Sequence, residues 1–292
     1  MGDLIESIKQ NTASFTPAQR KVAEFIMKHL EDVAFMSAST FGRKVGVSES
    51  TVVRFSQLLG YKGFPELKEA VREIVMRRLD TSRRLSDYLV SEGREHVLFE
   101  TMRKDMAVLE LAVDSISIEE FDRVVDVLHK AKRVFVVAHR SAYVLACYFT
   151  FYLRWIGVFA FTIRAKETSY ELIMSLGDGD VVVGITFPRY SKDTIELFTF
   201  AAKRGIETIA ITDDYLSPIA HAASHTLAVP TDFVSFVDSF TAPMSVINAI
   251  VIALSTRNPE LTEKRLETLE KVWKDKELYW DLSKPLGGMD NG

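Results

Sequence analysis

Between Val47 and Lys68 the chain reads VSESTVVRFSQLLGYKGFPELK, a stretch that gathers side chains able to read a nucleic acid. Ser48, Glu49, Ser50, Thr51 and Arg54 alternate with apolar Val52 and Phe55, so a helix here presents hydroxyls, a carboxylate and a guanidinium on one side. Arginine can take a guanine bidentately, and serine or threonine can meet either a base edge or a phosphate. Lys62 and Lys68, just beyond, are phosphate candidates. A second group lies far along the chain. His139, Arg140 and Ser141 follow the apolar run RVFVV, and Thr186, Arg189, Tyr190 and Ser191 follow DVVVGI. Guanidiniums beside hydroxyls suit a carboxylate or a phosphate, which arginine grips through two parallel hydrogen bonds.

The first group needs a helix-turn-helix to carry it. A small residue in the first helix must let the second approach, and a turn glycine follows four residues later. Gly42 and Gly46 have that spacing, and Val47, Val52 and Phe55 supply the apolar anchors. Ser48 is placed to cap a helix running to about Leu59, stopped by Gly60. Such a helix is about 16 Å long, enough to lie in a major groove. The spacing alone also fits an ordinary helical hairpin with solvated polar residues. Around it, Thr16 and Pro17 open a helix whose apolar face is Val22, Phe25, Ile26 and Leu30; Ser37 to Val45 forms another; Pro65 sits in the first turn of a fourth.

Composition bounds the rest. The 292 residues are 47% hydrophobic and 26% charged, ordinary for a globular protein of one or two domains. One cysteine, Cys147, excludes an internal disulfide and a cysteine-built zinc site; in its apolar setting it reads as a buried structural thiol. No metal site or cofactor is expected. No basic start leads into an apolar run, and no apolar stretch reaches membrane-spanning length, so the expectation is a cytoplasmic protein with no membrane partner. Residues 1–84 hold 14 Lys and Arg against 10 Asp and Glu, leaving 22 against 30 for the remainder, so a positive head precedes a negative body. A head of that sign suits a polyanion.

The pattern changes after residue 132. RVFVVA, VFAFTI, DVVVGIT, ETIAIT and HTLAVP are short apolar runs separated in several places by helical segments, including Ala142–Ile156 and Thr194–Arg204. Strands alternating with helices imply a parallel sheet covered on both faces. Ligands of such sheets bind at the carboxyl ends of the strands, beside helix N-termini. Both loops of the second group occupy such positions. A helix over Ser245–Ser255 and an amphipathic helix over Glu260–Trp280 complete the chain.

Residues 3–75, and above all VSESTVVRF and LGYKGFPELK, resemble the N-terminal domain of the RpiR-type bacterial transcriptional regulators. The remainder, about 105–256, resembles the sugar-isomerase-type (SIS) domain that those regulators carry. The resemblance implies an all-α helix-turn-helix domain followed by a doubly wound, flavodoxin-like α/β domain: a DNA-binding head at 1–78, a helical linker at 79–104, a SIS effector domain at 105–257 and a helical tail at 258–292. It implies a double-stranded DNA operator, a small anionic sugar-type effector and a homodimer or higher homo-oligomer. The family loops are glycine- and serine-rich, of the form G-x-G-x-S and S-x-S-G-x-T. Here Ala138 and Arg140 stand for the two glycines and Pro188-Arg189 for serine-glycine. That exchange makes a sugar acid a rival to a phosphosugar as effector. Sugar-phosphate isomerisation is the alternative function, but no general base is pinned by a motif.

Overall fold

The computed structural model describes residues 4–11, 14–90, 95–164 and 166–280. The chain divides into two compact units, Met1–Val97 with Phe233–Val237, and Leu98–Asp232 with Asp238–Gly292.

The first unit is helical: α1 (Leu4–Asn11), α2 (Pro17–Lys28), α3 (Leu30–Phe35), α4 (Ala38–Val45), α5 (Glu49–Leu58), α6 (Phe64–Leu79) and α7 (Thr81–Val90). Thr16 caps α2 in a reciprocal box: its hydroxyl accepts the Gln19 N–H at 3.3 Å, and Gln19 Oε1 accepts the Thr16 N–H at 2.9 Å. The apolar face expected to run unbroken through Leu30 is cut at His29, whose φ of −134° is not helical, so Leu30 starts α3. The core gathers Val22, Ile26, Phe41, Val52, Phe55 and Leu67, all fully buried.

The turn between α4 and α5 depends on two glycines. Gly46 adopts φ +74°, a left-handed conformation that glycine takes without steric cost, and its N–H bonds the Arg43 carbonyl at 3.2 Å. A Cβ on Gly42 would lie 2.8 Å from the Val47 carbonyl oxygen and 3.3 Å from the Glu49 nitrogen. No larger residue lets α5 come this close.

Beyond α7 the chain continues with α8 (Val97–Ser115), α9 (Ile118–Lys130), β1 (Arg133–Val137), α10 (Tyr143–Trp155), β2 (Ala160–Ile163), α11 (Lys166–Met174), β3 (Asp180–Ile185), α12 (Lys192–Lys203), β4 (Glu207–Thr212), β5 (His225–Ala228), the short β6 (Phe233–Val234) and β7 (Val237–Asp238), α13 (Thr241–Arg257) and α14 (Pro259–Asp275), all but residues 233–237 and Val97 in the second unit. Strands β1 to β5 form one parallel sheet in the order β2-β1-β3-β4-β5, and β6 pairs with β7. Successive residues of β1 serve opposite faces. Val134 and Val136 join a core with Val124, Leu128, Phe149 and Ile250, while Phe135 and Val137 join a second core with Ile173, Leu197 and Phe198. This is the doubly wound, flavodoxin-like order. At the amino ends of β1 and β3, Arg133 donates to Asp180 at 2.8 and 2.5 Å, and Asp180 is 3% exposed.

Two expectations are corrected. Cys147 is exposed, because it falls on the solvent side of α10 while Ala146, Phe149 and Thr150 take the buried positions. The last amphipathic helix ends at Asp275, not at Trp280, after Trp273 has packed against Trp155 of α10 with ring centroids 4.6 Å apart.

Candidate functional site

The helix-turn-helix places α5 as its second helix. Ser48 is the N-cap: its hydroxyl accepts the Thr51 N–H at 3.2 Å and lies 2.8 Å from both Ser50 Oγ and Thr51 Oγ1. Ser48 and Thr51 therefore organise the helix start, and Glu49 in the first turn complements the helix dipole. Glu49, Ser50 and Arg54 are exposed, and among the described residues no protein group engages the Arg54 side chain. Gln57 is exposed three residues beyond Arg54 on the same face and was not singled out from the sequence; its spacing was the available signal. Lys62 is exposed. Its N–H donates to Glu66 at 2.5 Å, which orders the entry to α6. Lys68 is half-buried, and desolvation together with neighbouring Arg72 lowers its ammonium pKa, against the opposing pull of Glu69.

The second group converges at the carboxyl ends of β1 and β3, where the chain leaves β1 for one side of the sheet and returns to β3 on the other. This switch point is where parallel α/β sheets bind ligands. His139, Arg140 and Ser141 from the β1 loop and Thr186, Arg189 and Ser191 from the β3 loop line one cavity of about 230 Å³, with Asp238 and Phe240 from a later segment. Tyr190 is not in its wall; its hydroxyl donates to Asp213 at 2.9 Å, and Asp213 also accepts from Thr212 at 3.0 Å.

The backbone at the two arginines is distinctive. Arg140 has φ +59° and Arg189 has φ +69°. Left-handed backbone disfavours a residue with a Cβ by about 1 kcal/mol each. Among the described residues neither guanidinium has a protein partner, and both are exposed at the cavity. The other polar groups are largely engaged. Thr186 accepts the Ser191 N–H at 3.1 Å, Ser191 caps α12, and His139 Nδ1 lies 3.0 Å from Thr194 Oγ1. Pro188 contributes no N–H. The start of α10 has neither a side-chain cap nor an acidic residue in its first turn, so its dipole adds to the positive field. Two arginines and a helix start facing one carboxylate, Asp238, make a cavity suited to an anion that also carries hydroxyls.

His225 and Asp214 do not line the cavity. His225 opens β5, at the end of the sheet opposite the cavity, with its ring nitrogens 3.2 Å from Glu120 and 3.3 Å from Glu207. Asp214 receives the Leu216 N–H at 2.7 Å. Among the described residues no cluster of metal-ligating side chains is present, and no helix is long and apolar enough to cross a membrane.

Comparison with known proteins agrees with this architecture. The model of the rpiR-family helix-turn-helix domain matches residues 2–76, and the SIS domain model matches residues 127–253. An uncharacterized HTH-type transcriptional regulator of Caldanaerobacter subterraneus is 23% identical over 93% of this chain and 97% of its own length. One from Haemophilus influenzae is 26% identical over 77% of this chain and 79% of its own. Among solved structures, the Vibrio vulnificus NanR protein complexed with ManNAc-6P superposes with TM-score 0.62 at 19% identity, over 95% of this chain and all of that one. The sugar isomerase domain of an RpiR transcription factor from Sphaerobacter thermophilus superposes with TM-score 0.59 at 24% identity, over 61% of this chain and 99% of that one. The chain thus joins an rpiR-family helix-turn-helix domain to a SIS domain, and the relatives it resembles along most of their length are HTH-type transcriptional regulators.

Proposed function

We propose that this regulator binds an anionic, hydroxyl-bearing sugar derivative in the cavity at the β1–β3 switch point, and that the ligand alters operator binding by α5. The observation that carries the reading is the pair Arg140 and Arg189. Each holds the left-handed backbone expected of the glycine it replaces, and each extends to the same cavity a guanidinium unpartnered among the described residues. Left-handed non-glycine residues cluster at binding sites, and two at matching loop positions of one cavity fit that pattern. The NanR structure carries a phosphosugar, which supports the ligand class. The loss of the Pro188 N–H and the gain of two guanidiniums move recognition from backbone amides to side chains, a change that favours carboxylate at least as well as phosphate.

Calorimetry on the full chain with phosphosugars and sugar acids side by side tests this. Arg189→Ala should weaken the best anionic ligand about ten- to hundred-fold, the size of one charge-assisted contact. Tight binding of a neutral ligand, indifferent to substitution of either arginine, would sink the proposal. Isomerisation is the weaker reading: in this cavity His139 is tied to Thr194, which leaves Asp238 as the one lining carboxylate of the kind such chemistry uses as base. The relatives, too, are regulators by name.

A further inference from the structure

Arg189 sits in a loop that closes on itself and is tied to the neighbouring strand. The loop begins as a continuation of the sheet, where the Thr186 N–H donates to the Ile211 carbonyl of β4 at 3.2 Å. It closes five residues later, where the Ser191 N–H donates to the Thr186 hydroxyl oxygen at 3.1 Å. Thr186 is 2% exposed, so this closure is kept from water. Within the ring, Pro188 fixes its own φ and disfavours a helical Phe187. The tight turn falls on Arg189, at φ +69°.

Tyr190 follows that turn directly. Its hydroxyl donates to Asp213 Oδ2 at 2.9 Å, while Thr212 Oγ1 donates to Asp213 Oδ1 at 3.0 Å. Thr212 is the last residue of β4 and is fully buried, so the acceptor stands at the end of a rigid strand. A hydrogen bond to a carboxylate is stronger than one between neutral groups. Tyr190 is absent from the cavity wall, so this bond does not serve a ligand directly. A left-handed residue with a side chain persists only where its surroundings over-determine it. Pro188 restrains the chain on one side of Arg189, and the Tyr190–Asp213 bond restrains it on the other.

We infer that Tyr190 is a positioning residue for the anion site: through Asp213 it locks the 186–191 loop in the conformation that presents the Arg189 guanidinium to the cavity. A glycine at 189 would take this backbone unaided, whereas an arginine pays for its Cβ and needs the loop held around it. The tie thus accompanies the move of recognition from backbone amides to side chains. That Arg189 meets an anion rests on the proposed effector site; that Tyr190 holds the loop does not.

The first test uses the full chain and no ligand. Hydrogen–deuterium exchange in peptides covering 187–192 is compared for the parent, Tyr190→Phe, Asp213→Ala and the double variant; the Ser191 N–H within them reports loop closure. Exchange of 133–137 in β1 reports whether the unit stays folded. Tyr190→Phe, which removes one oxygen atom, carries the test should Asp213→Ala loosen β1. Each single substitution should speed exchange of the loop about threefold or more, and the double variant should add nothing to Asp213→Ala. A loop that exchanges at the parent rate in Tyr190→Phe, or single effects that simply add, would overturn the inference. Calorimetric titration with 6-phosphogluconate, which carries both a carboxylate and a phosphate, reads the consequence for binding. Tyr190→Phe should weaken this probe about five- to tenfold in the parent and not at all in an Arg189→Ala background, because its effect passes through that guanidinium. Equal weakening in the two backgrounds would overturn the positioning role. A parent that binds no anionic probe, while Tyr190→Phe still loosens the loop, would keep the tie and remove the proposed ligand class.

Discussion

Arg189 and Arg140 combine a chemical asset with a conformational cost, and the two can be separated by substitution. Arg189→Gly relieves the left-handed strain but loosens the unfolded chain, so stability should be unchanged or up to about 1 kcal/mol higher. Arg189→Val, β-branched at the same φ, should cost roughly 1–2 kcal/mol. Denaturant unfolding distinguishes these, and both variants should lose anionic ligand; equal stability for the glycine and valine variants would mean that the backbone stores no strain there. On α5, Arg54→Ala should cost about 1–3 kcal/mol of operator affinity and relax preference at one base pair, whereas Lys62→Ala should weaken all duplexes about equally and reduce the salt slope by about one. Footprinting at fixed salt reads both. An unchanged operator affinity for Arg54→Ala would remove α5 as the reading helix.

At the level of elements, the α4–α5 turn and the β1–β3 pair each rest on one local constraint. Gly42→Ala drives a Cβ to 2.8 Å from the Val47 carbonyl, so α5 must move; about 1–3 kcal/mol of stability should be lost together with operator binding. Gly46→Ala meets open space and pays only for its φ, about 1 kcal/mol, and should retain most DNA affinity. Thermal melts with binding curves compare the two. Across the sheet, the Arg133 guanidinium holds the Asp180 carboxyl below its usual pKa, helped by the Gly177 N–H and opposed by desolvation. A depressed carboxylate pKa contributes stability that is complete above the unfolded value, about pH 4, and is lost as pH falls through the folded value. Asp180→Asn should therefore lower the melting temperature at neutral pH and flatten its decline below about pH 4. A variant whose acid decline parallels the parent's would contradict this.

At the scale of the molecule, a cavity ligand that alters operator binding by α5 must have its own affinity altered by the operator by the same factor. Arg189→Ala should keep effector-free DNA affinity within about twofold and lose regulation only as far as it loses ligand. Gel-shift titrations with and without the ligand check this, and regulation that survives the loss of ligand affinity would contradict it. The α8 helix exposes Leu98, Met102 and Met106 at four-residue spacing, an apolar stripe that a second copy of the chain can cover. A dimer reading two related half-sites combines two small interfaces. Light scattering at micromolar concentration should find a dimer, and Met102→Glu with Met106→Glu should shift it toward monomer. A parent chain that scatters as a monomer would rule the dimer out.

Much of this protein was legible in the residues themselves. The Thr16 and Ser48 caps, the Gly42 and Gly46 spacing, and the β-branched runs of β1 and β3 act through bonds and torsions a few residues apart, which a linear pattern records. Strands alternating with helices admit few topologies, so the parallel sheet and the two loops at its carboxyl end followed from local pattern and connection rules. The tertiary structure decided what local pattern leaves degenerate. It turned Tyr190 away to Asp213, left Cys147 on the outer side of α10, and interrupted at His29 a helix whose apolar period continues unbroken. It held two arginines in a glycine conformation, which depends on the surrounding loops and not on the side chain. It also brought Phe240 to a cavity begun at His139, and tied Ser235 to Arg84 across 151 residues of chain. Contacts at that separation are selected by the packing of whole elements, and no local periodicity encodes them.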